Sequence, residues 1–176
     1  MNRRFFLSSS IALGAFAAFS KAPVVGVSLS QDGDSNQASS KGIKKVIKTD
    51  EEWKSKLTPD QYDVTRRKGT EPPFTSPLNH IHQQGVFECV CCELPLFSSK
   101  AKFDSGTGWP SFWEPIAKEN VREEIDRSLA GTRTEALCAR CDAHIGHVFN
   151  DGPKPTGLRY CMNGVALKFA RQKKVS

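Results

Sequence analysis

The residue types able to do chemistry gather between Arg133 and Phe169, a stretch holding half of the cysteines and two of the four histidines. Cys161 stands alone there in Arg159-Tyr-Cys-Met-Asn163, between the turn-rich Asp151–Gly157 and the apolar run Val165–Phe169. A cysteine with no near partner and with His144 and His147 upstream is a candidate nucleophile, because a thiolate supplies the electron pair and an imidazole moves protons near neutral pH. Arg159 lies two residues from Cys161 and on a strand would share its face, where its charge would favour the thiolate. Asn163 lies on the same face and offers an amide donor to developing negative charge. The competing reading is a buried structural cysteine acting as a small hydrophobe, with structural histidines beside it. His80 and His82 have no comparable context and read as surface residues.

The other cysteines fall into Cys89-Val-Cys-Cys92 and Cys138-Ala-Arg-Cys141. Two tight turns, each presenting two thiolates, supply a tetrahedral zinc ion with its four ligands, and each pair ends a predicted strand, as a zinc knuckle requires. Two disulfides are the alternative. A C-x-x-C disulfide closes a very small loop and is usually redox-active rather than structural, which favours zinc on Cys89, Cys92, Cys138 and Cys141. Cys91 is a fifth thiol that a four-ligand site cannot take, and it reads as a buried small hydrophobe.

A second candidate surface is Gly106-Thr-Gly-Trp-Pro-Ser-Phe-Trp113. Glycines on either side of Thr107 indicate unusual φ or a close backbone approach. Trp109, Phe112 and Trp113 can wall an apolar pocket, although Phe112 fits simple core packing better.

The elements that must carry these residues are short. Thr49 or Asp50 caps a predicted helix through Lys56, with Trp53 and Leu57 on one face, and Thr58-Pro59 starts another to about Arg67. Gly69-Thr-Glu-Pro-Pro73 breaks the pattern. Gly85–Val90, Val121–Ile125, Arg133–Cys138 and Leu158–Phe169 then read as turn-bounded strands. The expected fold is mainly antiparallel β with a small helical N-terminal part.

At 176 residues the chain is one domain with appendages. Part of its formal charge of +6 belongs to Arg3, Arg4 and Lys21. The remainder is mildly basic with no basic stripe interleaved with aromatics, so no nucleic-acid partner is expected. The tail with Arg171, Lys173 and Lys174 reads as a solvated end. Residues 1–21 combine a charged start, the short apolar stretch Ile11–Phe19 and small residues near Ala15–Ser20, the pattern of a cleavable export signal. Arg3-Arg4-x-Phe6-Leu7 is similar to a twin-arginine address, so a periplasmic or otherwise exported protein without stable membrane insertion after processing is expected. Residues 22–42 are too polar to bury a core and read as a flexible linker, leaving 43–172 as the functional domain.

Four blocks together carry a family resemblance: Phe97, Phe103-Asp-Ser-Gly-Thr-Gly-Trp-Pro-Ser-Phe112, Cys138-Ala-Arg-Cys-Asp-Ala-His-Ile-Gly-His-Val-Phe149 and Asp151-Gly-Pro-x-Pro-Thr-Gly-x-Arg-Tyr-Cys161. Over Ile47 to Phe169 the chain resembles the B-type peptide-methionine (R)-S-oxide reductases. The resemblance implies two antiparallel sheets with small helices and a structural zinc on the two C-x-x-C pairs. It implies Cys161 as nucleophile, Trp109 against the substrate methyl group, and His144, His147 and Asn163 as residues that position substrate or water and assist proton transfer. Arg159 falls within the same motif. Thr107 stands where many members carry a resolving cysteine, and Thr75 where some carry an alternative one. After Asn163 the chain reads Gly-Val-Ala, where serine and alanine are commoner.

The resulting expectation is reduction of methionine-R-sulfoxide in oxidised proteins through a sulfenic acid on Cys161, regenerated by a thioredoxin-like or small-thiol donor. Two rivals are a zinc-knuckle binding module without catalysis, and a disulfide-exchange protein using a C-x-x-C pair.

Overall fold

The computed structural model describes residues 42–129 and 131–172, all within one compact unit. The export signal, residues 22–41 of the linker and the tail lysines Lys173 and Lys174 lie outside the described residues.

Two short helices lead the described residues. Helix α1 (Asp50–Lys56) is capped by Thr49, whose hydroxyl accepts the Glu52 N–H while the Glu52 carboxylate accepts the Thr49 N–H. Thr58 and Gln61 repeat this reciprocal cap on α2 (Pro59–Arg67), with Pro59 where its missing N–H costs nothing. Trp53, Leu57 and Val64 are buried, and Arg66 reaches from α2 to the Cys141 carbonyl. The sequence expectation for both helices holds.

Among the described residues nine strands follow: β1 (Gly85–Cys89), β2 (Pro95–Ser98), β3 (Lys102–Phe103), β4 (Ser111–Phe112), β5 (Val121–Leu129), β6 (Gly131–Cys138), β7 (His144–Phe149), β8 (Arg159–Met162) and β9 (Leu167–Arg171). They form a three-stranded sheet ordered β2-β1-β9 and a six-stranded sheet ordered β3-β4-β8-β7-β6-β5, antiparallel throughout. The mainly β, two-sheet architecture is the expected one. The stretch Leu158–Phe169 corrects the sequence reading. It is not one strand: β8 and β9 belong to different sheets, separated by a 3-10 turn at Gly164–Ala166.

The core lies between the sheets. Phe112 and Tyr160 of the large sheet meet Phe97 of the small one at 4.5 and 5.7 Å between ring centroids, and Phe87 meets Phe112 at 5.0 Å. Phe112 is therefore core, as its packing reading held. Side chains alternate across a strand, so turning Tyr160 and Met162 into this core turns Arg159 and Cys161 to the opposite face.

Candidate active site and metal centre

That opposite face carries the chemistry. The register aligns Glu135 of β6, His147 of β7, Cys161 of β8 and Ser111 of β4 in one row across the sheet. Cys161 is thus flanked by His147 on one side and Ser111 on the other, and its sulfur remains half-buried rather than sealed.

His144 lies three residues before His147, and strict alternation would put it on the core face. The β6–β7 register shifts there, pairing Ala136 with Gly146 and Leu137 with His144. This bulge admits an extra residue, Ile145, and brings the two imidazoles to 5.2 Å between ring centroids. Gly146 makes it possible: its φ is +154°, and an added Cβ would lie 2.2 Å from the Cys161 carbonyl oxygen.

Each imidazole is held by a carboxylate. Asp126 of β5 accepts from His147 Nε2 at 2.8 Å and from Arg133 at 2.7 Å. Hydrogen bonds from Ser128, then from His147 and Arg133, hold the Asp126 carboxyl well below the usual range, so it is ionised and the proton of this bond resides on the imidazole. His147 Nδ1 is left for other chemistry. Glu135 accepts from His144 Nδ1 at 2.7 Å and from Lys68 at 2.7 Å. Burial raises the Glu135 carboxyl, but Lys68 and His144 outweigh it and hold it below its ordinary value. Burial lowers His144 against the pull of Glu135, favouring the neutral ring, and its buried Nε2 meets no partner among the described residues.

Arg159 is spoken for. Its guanidinium donates twice to Asp151, at 2.8 and 2.7 Å, and lies 4.4 Å from the Phe149 ring centroid. Burial pushes the Cys161 thiol up, and the opposing influence of Arg159 and Thr107 does not reverse it. Arg159 thus acts on Cys161 in the expected direction, toward the thiolate, while burial acts more strongly against it. Thr107 lies beside it, its hydroxyl oxygen 3.9 Å from the Cys161 sulfur. Gly106 and Gly108 flank Thr107 with φ of +70° and +91°, and the Gly108 carbonyl accepts the Phe74 N–H, so both reasons given for these glycines hold. Trp109 donates its indole N–H to the Glu71 carbonyl at 3.0 Å. Trp113 is half-buried, while His80 and His82 are exposed as expected. Asn163 is buried just beyond the end of β8, and its Oδ1 accepts the Glu71 N–H at 3.1 Å.

The second constellation is the cysteine cluster. Cys89, Cys92, Cys138 and Cys141 bring their sulfurs within 4.8 Å of one another, and all six cysteines are free. Two of these separations are 3.7 Å (Cys89–Cys141) and 3.5 Å (Cys92–Cys138). Four thiolates at ~2.3 Å from one tetrahedral ion stand about 3.8 Å apart, so the donor set fits a metal ion, whereas a disulfide needs ~2.05 Å. The knuckles share one backbone pattern. In each, the first cysteine donates its N–H five residues on (Cys89 to Leu94, Cys138 to Ala143) and accepts from four residues on (Glu93, Asp142). Glu93 and Asp142, just after the second cysteines, both take positive φ. Cys91 is fully buried in the core cluster.

Sequence reasoning missed Asp126, Glu135, Asp151, Lys68 and Glu71. Only Asp151 left a signal, since an arginine on a half-buried strand face demands an acid and the preceding turn supplies one.

The SelR domain family matches residues 57–171. The peptide methionine sulfoxide reductase MsrB of Hahella chejuensis is 58% identical over 125 residues, which are 71% of this chain and 90% of the relative. The MsrB of Pseudomonas fluorescens is 59% identical over 125 residues, 71% of this chain and 96% of the relative. The chloroplastic peptide methionine sulfoxide reductase B1 of Oryza sativa is 56% identical over 124 residues, 70% of this chain and 58% of that longer protein. This chain belongs to the SelR domain family, that of the MsrB peptide methionine sulfoxide reductases.

Proposed function

We propose that this protein reduces the R epimer of methionine sulfoxide in oxidised proteins, with Cys161 as nucleophile. The observation that carries the reading is the cross-strand row placing a half-buried thiol beside His147, in a chain whose family membership is established.

His147 Nε2 donates to the ionised Asp126, so Nδ1 is the basic nitrogen. In the proposed reaction Nδ1 takes the Cys161 proton, and the imidazolium is stabilised by Asp126. The sulfur attacks the sulfoxide sulfur, and the proton passes to the sulfoxide oxygen. As the protonated oxygen moves to the Cys161 sulfur as hydroxyl, the new sulfur–sulfur bond and the substrate S–O bond both break and an S–O bond to Cys161 forms. Methionine leaves reduced, and Cys161 is oxidised to a sulfenic acid. His144 borders the same space and positions substrate or water. Trp109 walls the substrate methyl group, and Asn163, its Oδ1 already taken by Glu71, directs its amide N–H groups to the substrate oxygen. Arg159, pinned by Asp151, holds positive charge near the sulfur.

Recycling needs an outside thiol. Thr107 and Thr75 are not thiols, Cys91 is fully buried, and the remaining cysteines form the cluster. A small thiol or a thioredoxin-like dithiol attacks the sulfenic acid with loss of water, and a second donor thiol resolves the mixed disulfide. We assign zinc to the Cys89, Cys92, Cys138 and Cys141 cluster as a structural ion, with no part in the reaction. The leader with Arg3 and Arg4 supports export, and fractionation of cells expressing the full chain against an Arg3→Lys, Arg4→Lys variant tests it.

The test of the function is turnover on separated R and S sulfoxide epimers by wild type and Cys161→Ser. R-selective turnover that vanishes in the variant is expected; turnover surviving Cys161→Ser would refute the assignment.

A further inference from the structure

Glu71 lies outside every sequence block that carries the resemblance, yet it is buried and uses all of its polar groups on the site. Its N–H donates to Asn163 Oδ1 at 3.1 Å, and its carbonyl accepts the Trp109 indole N–H at 3.0 Å. Its two carboxylate oxygens divide two backbone donors, Oε1 taking the Gly164 N–H and Oε2 the Val165 N–H. Those N–H groups open the 3-10 turn separating β8 from β9. Gly164 is what permits this closeness, since a Cβ there would lie 1.9 Å from Ser76 Oγ and 3.2 Å from Glu71 Oε1.

We infer that Glu71 is a positioning residue that fixes the Trp109 wall and the Asn163 amide relative to one another, and so sets how closely the site discriminates the group carried on the substrate sulfur. The inference rests on the proposed function, in which Trp109 meets the methyl group and Asn163 faces the oxygen. Neither of these side chains holds its own place. Trp109 sits in a loop directly after the left-handed Gly108, and Asn163 sits past the end of its strand. One residue ties both to the same backbone point. Its carboxylate anchors that point to the turn following Cys161, so movement of the wall away from the nucleophile breaks hydrogen bonds in a water-poor place. A pocket that held the wall loosely would admit a larger group at little cost. A rigid one makes each added methylene cost about 10- to 200-fold in kcat/KM.

The experiment compares kcat/KM for the R-configured methyl sulfoxide and its ethyl homologue in wild type and Glu71→Gln. The substitution keeps the shape but turns an amide NH2 onto a backbone N–H, opposing two donors. Partial unfolding scales both rates equally and leaves the ratio unmoved, so the ratio reads positioning rather than stability. The expected result is a wild-type preference for methyl of about tenfold or more, collapsing to below about threefold in Glu71→Gln. In wild type, the Trp109 indole N–H should exchange slowly with solvent by NMR, a reading that requires no variant. An unchanged ratio in folded Glu71→Gln, a wild type indifferent to the ethyl group, or fast exchange of the Trp109 indole N–H overturns the inference and leaves the function standing. A wild type that turns over neither sulfoxide overturns the proposed function, and this inference with it.

Discussion

Gly146→Ala is the sharpest perturbation of the site that touches no reacting group. The added Cβ would sit 2.2 Å from the Cys161 carbonyl oxygen and 2.9 Å from the Met162 Cα. An ordinary non-bonded contact is about 3.5 Å, so β8 must withdraw from β7 by roughly 1 Å there. Both of these atoms are backbone; the Met162 Cε, at 2.8 Å, can turn aside, but they cannot. Holding alanine at φ +154° adds strain of order 1–3 kcal/mol, and overpacking adds ~1–3 kcal/mol. The total, about 4 kcal/mol, is a large fraction of the ~5–15 kcal/mol that holds a domain together. Thermal melting should fall by roughly 10 °C. Activity should fall further than the unfolded fraction explains, because the bulge sets both histidines on the face of Cys161. Circular-dichroism melts paired with sulfoxide turnover below the transition measure both quantities. A melting point within about 2 °C of wild type, with unchanged turnover, would show that β7 and β8 are not locked as described.

Cys92→Ser should abolish stoichiometric zinc and lower the melting temperature before any mechanistic defect is visible, read by metal analysis beside thermal melts; a zinc-free wild type purified under reducing conditions would remove the metal assignment. Trp109→Ala should cut sulfoxide reduction strongly while zinc content and fold persist, whereas near-normal kinetics would return Trp109 to core packing. Arg159→Met should shift the pH midpoint of Cys161 alkylation upward, because Arg159 lowers a thiol that burial raises and the freed Asp151 raises it further; an unchanged or lower midpoint contradicts that sign. Wild type after one turnover without reductant should carry a trappable sulfenic acid by mass spectrometry and no Cys91–Cys161 bond, and Cys91→Ser should recycle at the wild-type rate; that bond in high yield would make Cys91 the resolving residue.

What the sequence determined by itself was everything set within a few residues. Thr49 and Thr58 cap their helices because the reciprocal hydrogen bonds close over three positions. Each C-x-x-C knuckle closes over five residues, and Gly106 and Gly108 take left-handed backbone on either side of Thr107. Cys161 and Arg159 share a face by simple alternation. The tertiary structure decided what depends on which strand lies next to which. Strand β7 was not legible, because His-Ile-Gly-His carries no clean period of two, and only pairing with β6 reveals the bulge that reconciles His144 with His147. Leu158–Phe169 read as one strand because most of its residues are apolar or aromatic, yet the Gly164–Ala166 turn held by Glu71, a residue more than ninety positions away, sends its halves into different sheets. The acids show the same limit. Asp126, Glu135 and Asp151 are ordinary carboxylates in sequence, and each became a holder of His147, His144 or Arg159 only when a neighbouring strand or turn brought the two within hydrogen-bonding distance, for Asp126 and Glu135 in a setting dry enough to strengthen the pairing.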